Sequence, residues 1–112
     1  MNDRLVPVSL VPAVADGALV SLRGEHDLAT TPALRDEFAR ARAQSDRITV
    51  DLTECDFLDS SVLGVLIGEL RRAREREGAL ILVLSPDPAS TVRRTLELTG
   101  LIGVFDIRDG GS

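Results

Sequence analysis

The residues with the most chemistry to offer stand together at Asp59, Ser60 and Ser61, just ahead of an apolar segment that carries Gly64 and Gly68. An aspartate or serine at such a place caps a helix. Its side-chain oxygen accepts from the N–H groups that the first turn leaves without partners. With Asp59 or Ser60 as the cap, Ser61 falls in the first turn. A hydroxyl there stands at the helix mouth, where a phosphate would meet the positive end of the helix dipole. Such a modification adds charge to the surface and leaves the module folded. Ser61 equally suits an ordinary capping turn, and the spacing is compatible with both roles.

The segment after Ser61 has two faces at helical spacing. Leu63, Leu66, Ile67, Leu70 and Ala73 form an inward stripe, and Ser61, Gly64, Val65, Gly68 and Arg72 fall on another. Two glycines beside a serine flatten that second face, so the backbone of another protein could approach closely. Close packing of the helix on a sheet would use the same glycines.

Other chemistry is sparse. No G-x-S-x-G surrounds Ser61, His26 is the one histidine, and all 13 basic residues are arginine, so a phosphate-cradling loop with its lysine is excluded. No catalytic residue is assigned. The carboxylates Glu25, Asp27, Asp51, Glu54, Asp56 and Asp59 read as surface residues near strand ends, with no metal site among them. His26 reads as a solvated loop residue and Cys55 as a buried, inert thiol. No cofactor is expected. The net charge of −5 repels phosphate backbones and anionic lipid, so neither nucleic acid nor a membrane surface is an expected partner. The N-terminus is broken by Asp3, Arg4, Pro7 and Pro12 and lacks the apolar core of a signal peptide. With a lone cysteine and no apolar run long enough to span a bilayer, a reducing cytoplasm is the expected compartment.

At 112 residues the chain suits one domain over 1–112, and 44% apolar content with only three Phe implies an aliphatic core. Strands are expected at 4–11, 18–23, 47–52, 79–84 and 101–107. Helices are expected from Pro32 to about Ala43, from about Ser60 to Glu77 with Gly78 as its stop, and over 89–99 with Val92, Leu96 and Leu98 apolar. Pro7 suits an edge strand, residues 12–17 read as a turn, and the unbroken run ALILVL suits a central parallel strand. The tail 109–112 should be mobile. The order β-β-α-β-α-β-α-β implies an α/β fold, a mixed, mostly parallel sheet of four or five strands with helices packed on it.

Two stretches, GEHDLATTPAL (24–34) and VDLTECDFLDSSVLGVLIGEL (50–70), resemble the STAS domain family of sulphate transporters and anti-sigma factor antagonists. The first resembles that family's G-E-x-D loop and helix, and the second its strand, loop and D-S-[ST]-G-x-G helix start. The resemblance implies a free-standing anti-sigma factor antagonist that works by partner switching. Unphosphorylated, such a protein binds an anti-sigma factor, a serine kinase of the histidine-kinase-like ATPase fold, and so frees a sigma factor. Phosphorylation by the kinase releases it, and a serine phosphatase is a further partner. The implied phosphorylation site here is Ser61, and the implied partner-binding residues are Asp27, Asp59, Ser60, Ser61, Val62, Gly64, Val65 and Gly68. Asp27 also suits a turn cap. Where the family has glycine after the phosphorylated residue, this chain has Val62, a stiff residue expected to crowd Ser61. The alternative reading is an unmodified STAS subunit of a larger assembly, such as a lipid-transport complex or a stress-signalling scaffold. A monomer or weak homodimer is expected.

Overall fold

Alternation in the strand-like runs puts every second side chain on one side of a sheet. In a computed structural model of the chain, which describes residues 8–14 and 17–110, that side is the core. Ala18, Val20 and Leu22 of β2 (Gly17–His26) are buried there. So are Ile48, Val50 and Leu52 of β3 (Arg47–Leu58) and Leu80, Leu82 and Leu84 of β4 (Ala79–Leu84). The pairing keeps them in phase, with Val50 opposite both Val20 and Leu82. Together with β1 (Val8–Val14) and β5 (Asp106–Asp109), these strands form one sheet in the order β1-β2-β3-β4-β5. β1 is antiparallel to β2 at one edge, and the remaining pairs are parallel.

Helix α1 (Thr31–Gln44), with Pro32 in its first turn, buries Leu34, Phe38 and Ala41 at the expected spacing. Helix α2 (Ser60–Glu75) joins β3 to β4, and α3 (Thr91–Leu98) joins β4 to β5. The element order is therefore the expected one, with 79–84 inside the sheet, but the last strand, expected over 101–107, begins only at Asp106, after a 3-10 turn at Leu101–Gly103. No helix among the described residues is long and apolar enough to cross a membrane.

Several local expectations are corrected. β1 runs through Pro12 to Val14, where a turn was expected; a register shift lies between Val11 and Val14, and an edge strand tolerates the missing N–H. The expected strand residues 4–7 and the turn residues 15–16 lie outside the described residues. Leu98 is 82% exposed, because it lies two residues past Leu96, about 200° around the helix from that buried position. Gly78 does not supply the left-handed stop of α2. Glu77 takes that conformation at φ 57°, and Gly78 is needed because a Cβ there would lie 2.1 Å from the Asp46 carbonyl oxygen. Of the tail, Asp109 belongs to β5 and pairs with Arg93, and the Gly110 N–H donates to the Leu84 carbonyl at 2.7 Å.

The largest difference is β3, expected to end at 52 but continuing to Leu58. Its pairing with β2 shifts register after Ser21, resumes with Arg23 opposite Glu54 and Gly24 opposite Cys55, shifts again, and ends with Glu25 opposite Phe57 and His26 opposite Leu58. The irregularities destroy the period-two pattern that would have announced a strand. The extension carries the start of α2 to the end of β2, which assembles the site.

Candidate functional site

The site is built on the cap of α2. Asp59 has extended backbone geometry, and its Oδ1 accepts from the N–H groups of Ser61 at 3.0 Å and Val62 at 3.2 Å. The same oxygen accepts the Ser61 hydroxyl proton at 2.5 Å. These donors hold the Asp59 carboxyl below the usual carboxylate range, with the Ser61 hydroxyl as the largest cause. Ser61 is half-buried and Ser60 exposed, and the bond to Asp59 sets the orientation of the Ser61 hydroxyl.

The two sequence stretches meet here. The Asp59 N–H donates to the His26 carbonyl at 3.2 Å, which ties the cap of α2 to the end of β2. Asp27, the next residue, caps the 3-10 turn Leu28–Thr30, its Oδ1 accepting from the Ala29 N–H at 2.9 Å. In return the Thr30 hydroxyl oxygen accepts from the Asp27 N–H at 3.2 Å. Asp27 thus caps a turn and still exposes its side chain next to the α2 start.

His26, expected in solvent, is fully buried. Its Nε2–H donates to the Arg23 carbonyl at 3.0 Å, and its Nδ1 faces the Thr30 hydroxyl at 3.2 Å. Burial pushes its pKa below the ordinary histidine value, against the raising effects of the Arg23 carbonyl and the Asp27 charge. The signal was its position: two residues after Gly24 in an alternating strand, where the side chain returns to the core face.

The expected partner face divides. Asp27, Ser60 and Gly64 are exposed, and Asp59, Ser61 and Gly68 are half-exposed. Val62 and Val65 are buried, which corrects their placement as surface contacts. The buried stripe of α2 comprises Val62, Leu63, Val65, Leu66, Glu69 and Leu70, while Ile67 and Ala73 are only partly buried. The stripe is shifted because α2 packs on α1 as well as on the sheet, with Glu69 paired to Arg42 at 2.5 Å. Val62 therefore points into the core and does not crowd Ser61. A Cβ added at Gly64 or Gly68 would meet nothing within 4 Å, so neither glycine is needed for packing on the sheet. Sequence reasoning missed two apolar residues flanking the cap: Leu28, 70% exposed, and Phe57, 42% exposed.

Burial pushes the Cys55 thiol up to about 11, far from a reactive thiolate. Among the described residues no cluster of three or more His, Cys, Asp and Glu side chains could hold a metal ion. Three surface depressions of about 170, 300 and 260 Å³ are all lined by residues other than Ser61.

Residues 10–107 match the family model described as Mlab, STAS domain. The anti-sigma F factor antagonist of Paenibacillus polymyxa is 31% identical over 93 residues, covering 81% of this chain and 77% of the relative. The anti-sigma-B factor antagonist of Listeria monocytogenes is 29% identical over 91 residues, covering 80% and 77%. Among solved structures, the Bacillus cell fate determinant SpoIIAA in its phosphorylated form shares the fold, with a TM-score of 0.70 at 24% identity over 94% of this chain and 92% of the other.

Proposed function

The chain belongs to the STAS domain family, and from that premise we propose that it is an anti-sigma factor antagonist, switched by phosphorylation of Ser61. Unmodified, it binds an anti-sigma factor that is a serine kinase; modified, it lets go, and a serine phosphatase restores it. The work is that of a binding module in the cytoplasm, not of an enzyme. The names of the relatives support the antagonist role, and the phosphorylated form of a protein with the same fold is in keeping with the switch.

The observation that carries the reading is the Ser61 hydroxyl, held by Asp59 at 2.5 Å on an open helix start with Val62 turned inward. Around it lie Asp27, Ser60, Gly64 and Gly68, with Leu28 and Phe57 as apolar contacts. A phosphate on Ser61 adds about −1.5 to −2 charges. The free module solvates them at the helix mouth. In a complex the phosphate would be covered beside the Asp59 carboxylate and the partner's own nucleotide phosphates. Like charges so juxtaposed cost on the order of several kcal/mol, and each ~1.4 kcal/mol is tenfold in affinity.

The test is titration of the anti-sigma factor, recovered by pull-down from native cell extract, with three forms of the chain. Ser61→Asp should bind roughly tenfold or more weakly than the parent. Ser61→Ala should bind like the parent but resist labelling by ATP. Parent-like binding by Ser61→Asp, or phosphate mapped to Ser60, refutes the switch.

A further inference from the structure

We propose that Asp59 orients the Ser61 hydroxyl for phosphoryl transfer and takes its proton as the new O–P bond forms, so that the phosphorylated module supplies part of its own transfer machinery. This rests on the reading of Ser61 as phosphoryl acceptor.

A serine hydroxyl has one proton and two lone pairs. Here the proton is committed to Asp59 Oδ1 at 2.5 Å, which turns the lone pairs of Oγ away from the carboxylate. The Ser61 and Val62 N–H groups anchor that same oxygen, so the carboxylate is held facing the hydroxyl. In the step, a lone pair of Ser61 Oγ attacks the γ-phosphorus of a nucleoside triphosphate held by the partner. The bond from that phosphorus to the β,γ-bridging oxygen breaks, and its electron pair leaves with the nucleoside diphosphate. The Oγ proton moves along the existing hydrogen bond to Oδ1. Phosphoryl transfer passes through a loose transition state, so the hydroxyl becomes acidic only as the new bond forms. A carboxylate of ordinary or lowered basicity accepts the proton at that stage.

Asparagine is the informative replacement. It caps helices about as well as aspartate and offers an oxygen to the Ser61 hydroxyl, but takes no proton. The chain and its variants are incubated with native cell extract and γ-labelled ATP, and label on Ser61 is followed by phosphopeptide mass spectrometry. The maximal labelling rate of Asp59→Asn should fall about a hundredfold. The chain concentration giving half that rate should stay within about threefold, and the melting temperature should stay within a few degrees of the parent's. Asp59→Ser, a second capping residue without a carboxylate, should show the same loss and decides the matter if the Asn variant folds poorly. An Asn variant labelled at the parent's maximal rate overturns the proposal and leaves Ser61 as the acceptor. So does a variant whose half-saturating concentration rises while its maximal rate holds, since that makes Asp59 a binding residue. A parent chain never labelled on Ser61 overturns both readings.

Discussion

Glycines in the interior of a helix need a reason, and Gly64 and Gly68 have none inside the module. Each costs about 0.5–1 kcal/mol relative to alanine through backbone entropy. An added methyl at either position meets no atom within 4 Å. Gly64→Ala and Gly68→Ala should therefore stabilise the free protein, together by roughly 1–2 kcal/mol. For a chain of this length each kcal/mol is roughly 4 °C in melting temperature, so the double variant should melt roughly 4–8 °C higher. The same methyls would stand where the anti-sigma factor lies in the proposed complex. Overpacking a fitted surface costs about 1–3 kcal/mol, which is roughly fivefold to a hundredfold in affinity. Calorimetric melting and titration of the anti-sigma factor with the same samples read both effects. A double variant that melts lower would mean an internal role that open space around the glycines denies. One that melts higher and binds like the parent would remove this face from the interface.

His26 is buried with its pKa lowered, so the unfolded chain, titrating near 6.5, binds more protons than the folded one. Stability should be full above that value and decline as pH falls through it toward the folded pKa. Urea unfolding between pH 8 and pH 5 should show this slope, and His26→Gln should flatten it; equal slopes would clear His26 of the effect. Leu28→Ser should leave the melting temperature almost unchanged, since the side chain is 70% exposed, yet weaken binding of the anti-sigma factor. A loss of roughly fivefold or more is expected if Leu28 anchors the contact, and unchanged affinity would remove it from the interface. Gly78→Ala should cost about 1–3 kcal/mol in chemical denaturation, because its Cβ would fall 2.1 Å from the Asp46 carbonyl oxygen; parent-like stability would contradict that close approach.

What could be read along the chain was what neighbours within a few residues decide. The element order, the Pro-tolerant edge strand, the apolar spacing of Leu34, Phe38 and Ala41, and the start of α2 at Ser60 all follow from local hydrogen bonding and periodicity. So does the position of Ser61 in the first turn, since capping reaches only to the next two or three N–H groups. What the tertiary structure decided were matters of long-range pairing. The extension of β3 to Leu58 depends on β2 lying alongside, and its irregular register hides the strand from any test of alternation. That pairing buries His26, ties its carbonyl to the Asp59 N–H and sets the Asp27 turn against the cap of α2. Val62 and Val65 turn inward because α2 packs on α1 as well as on the sheet, and periodicity along one helix does not record how many neighbours it has. The capped serine was thus legible from local sequence, while the surface around it was not, because residues some thirty positions apart share it and only packing brings them into contact.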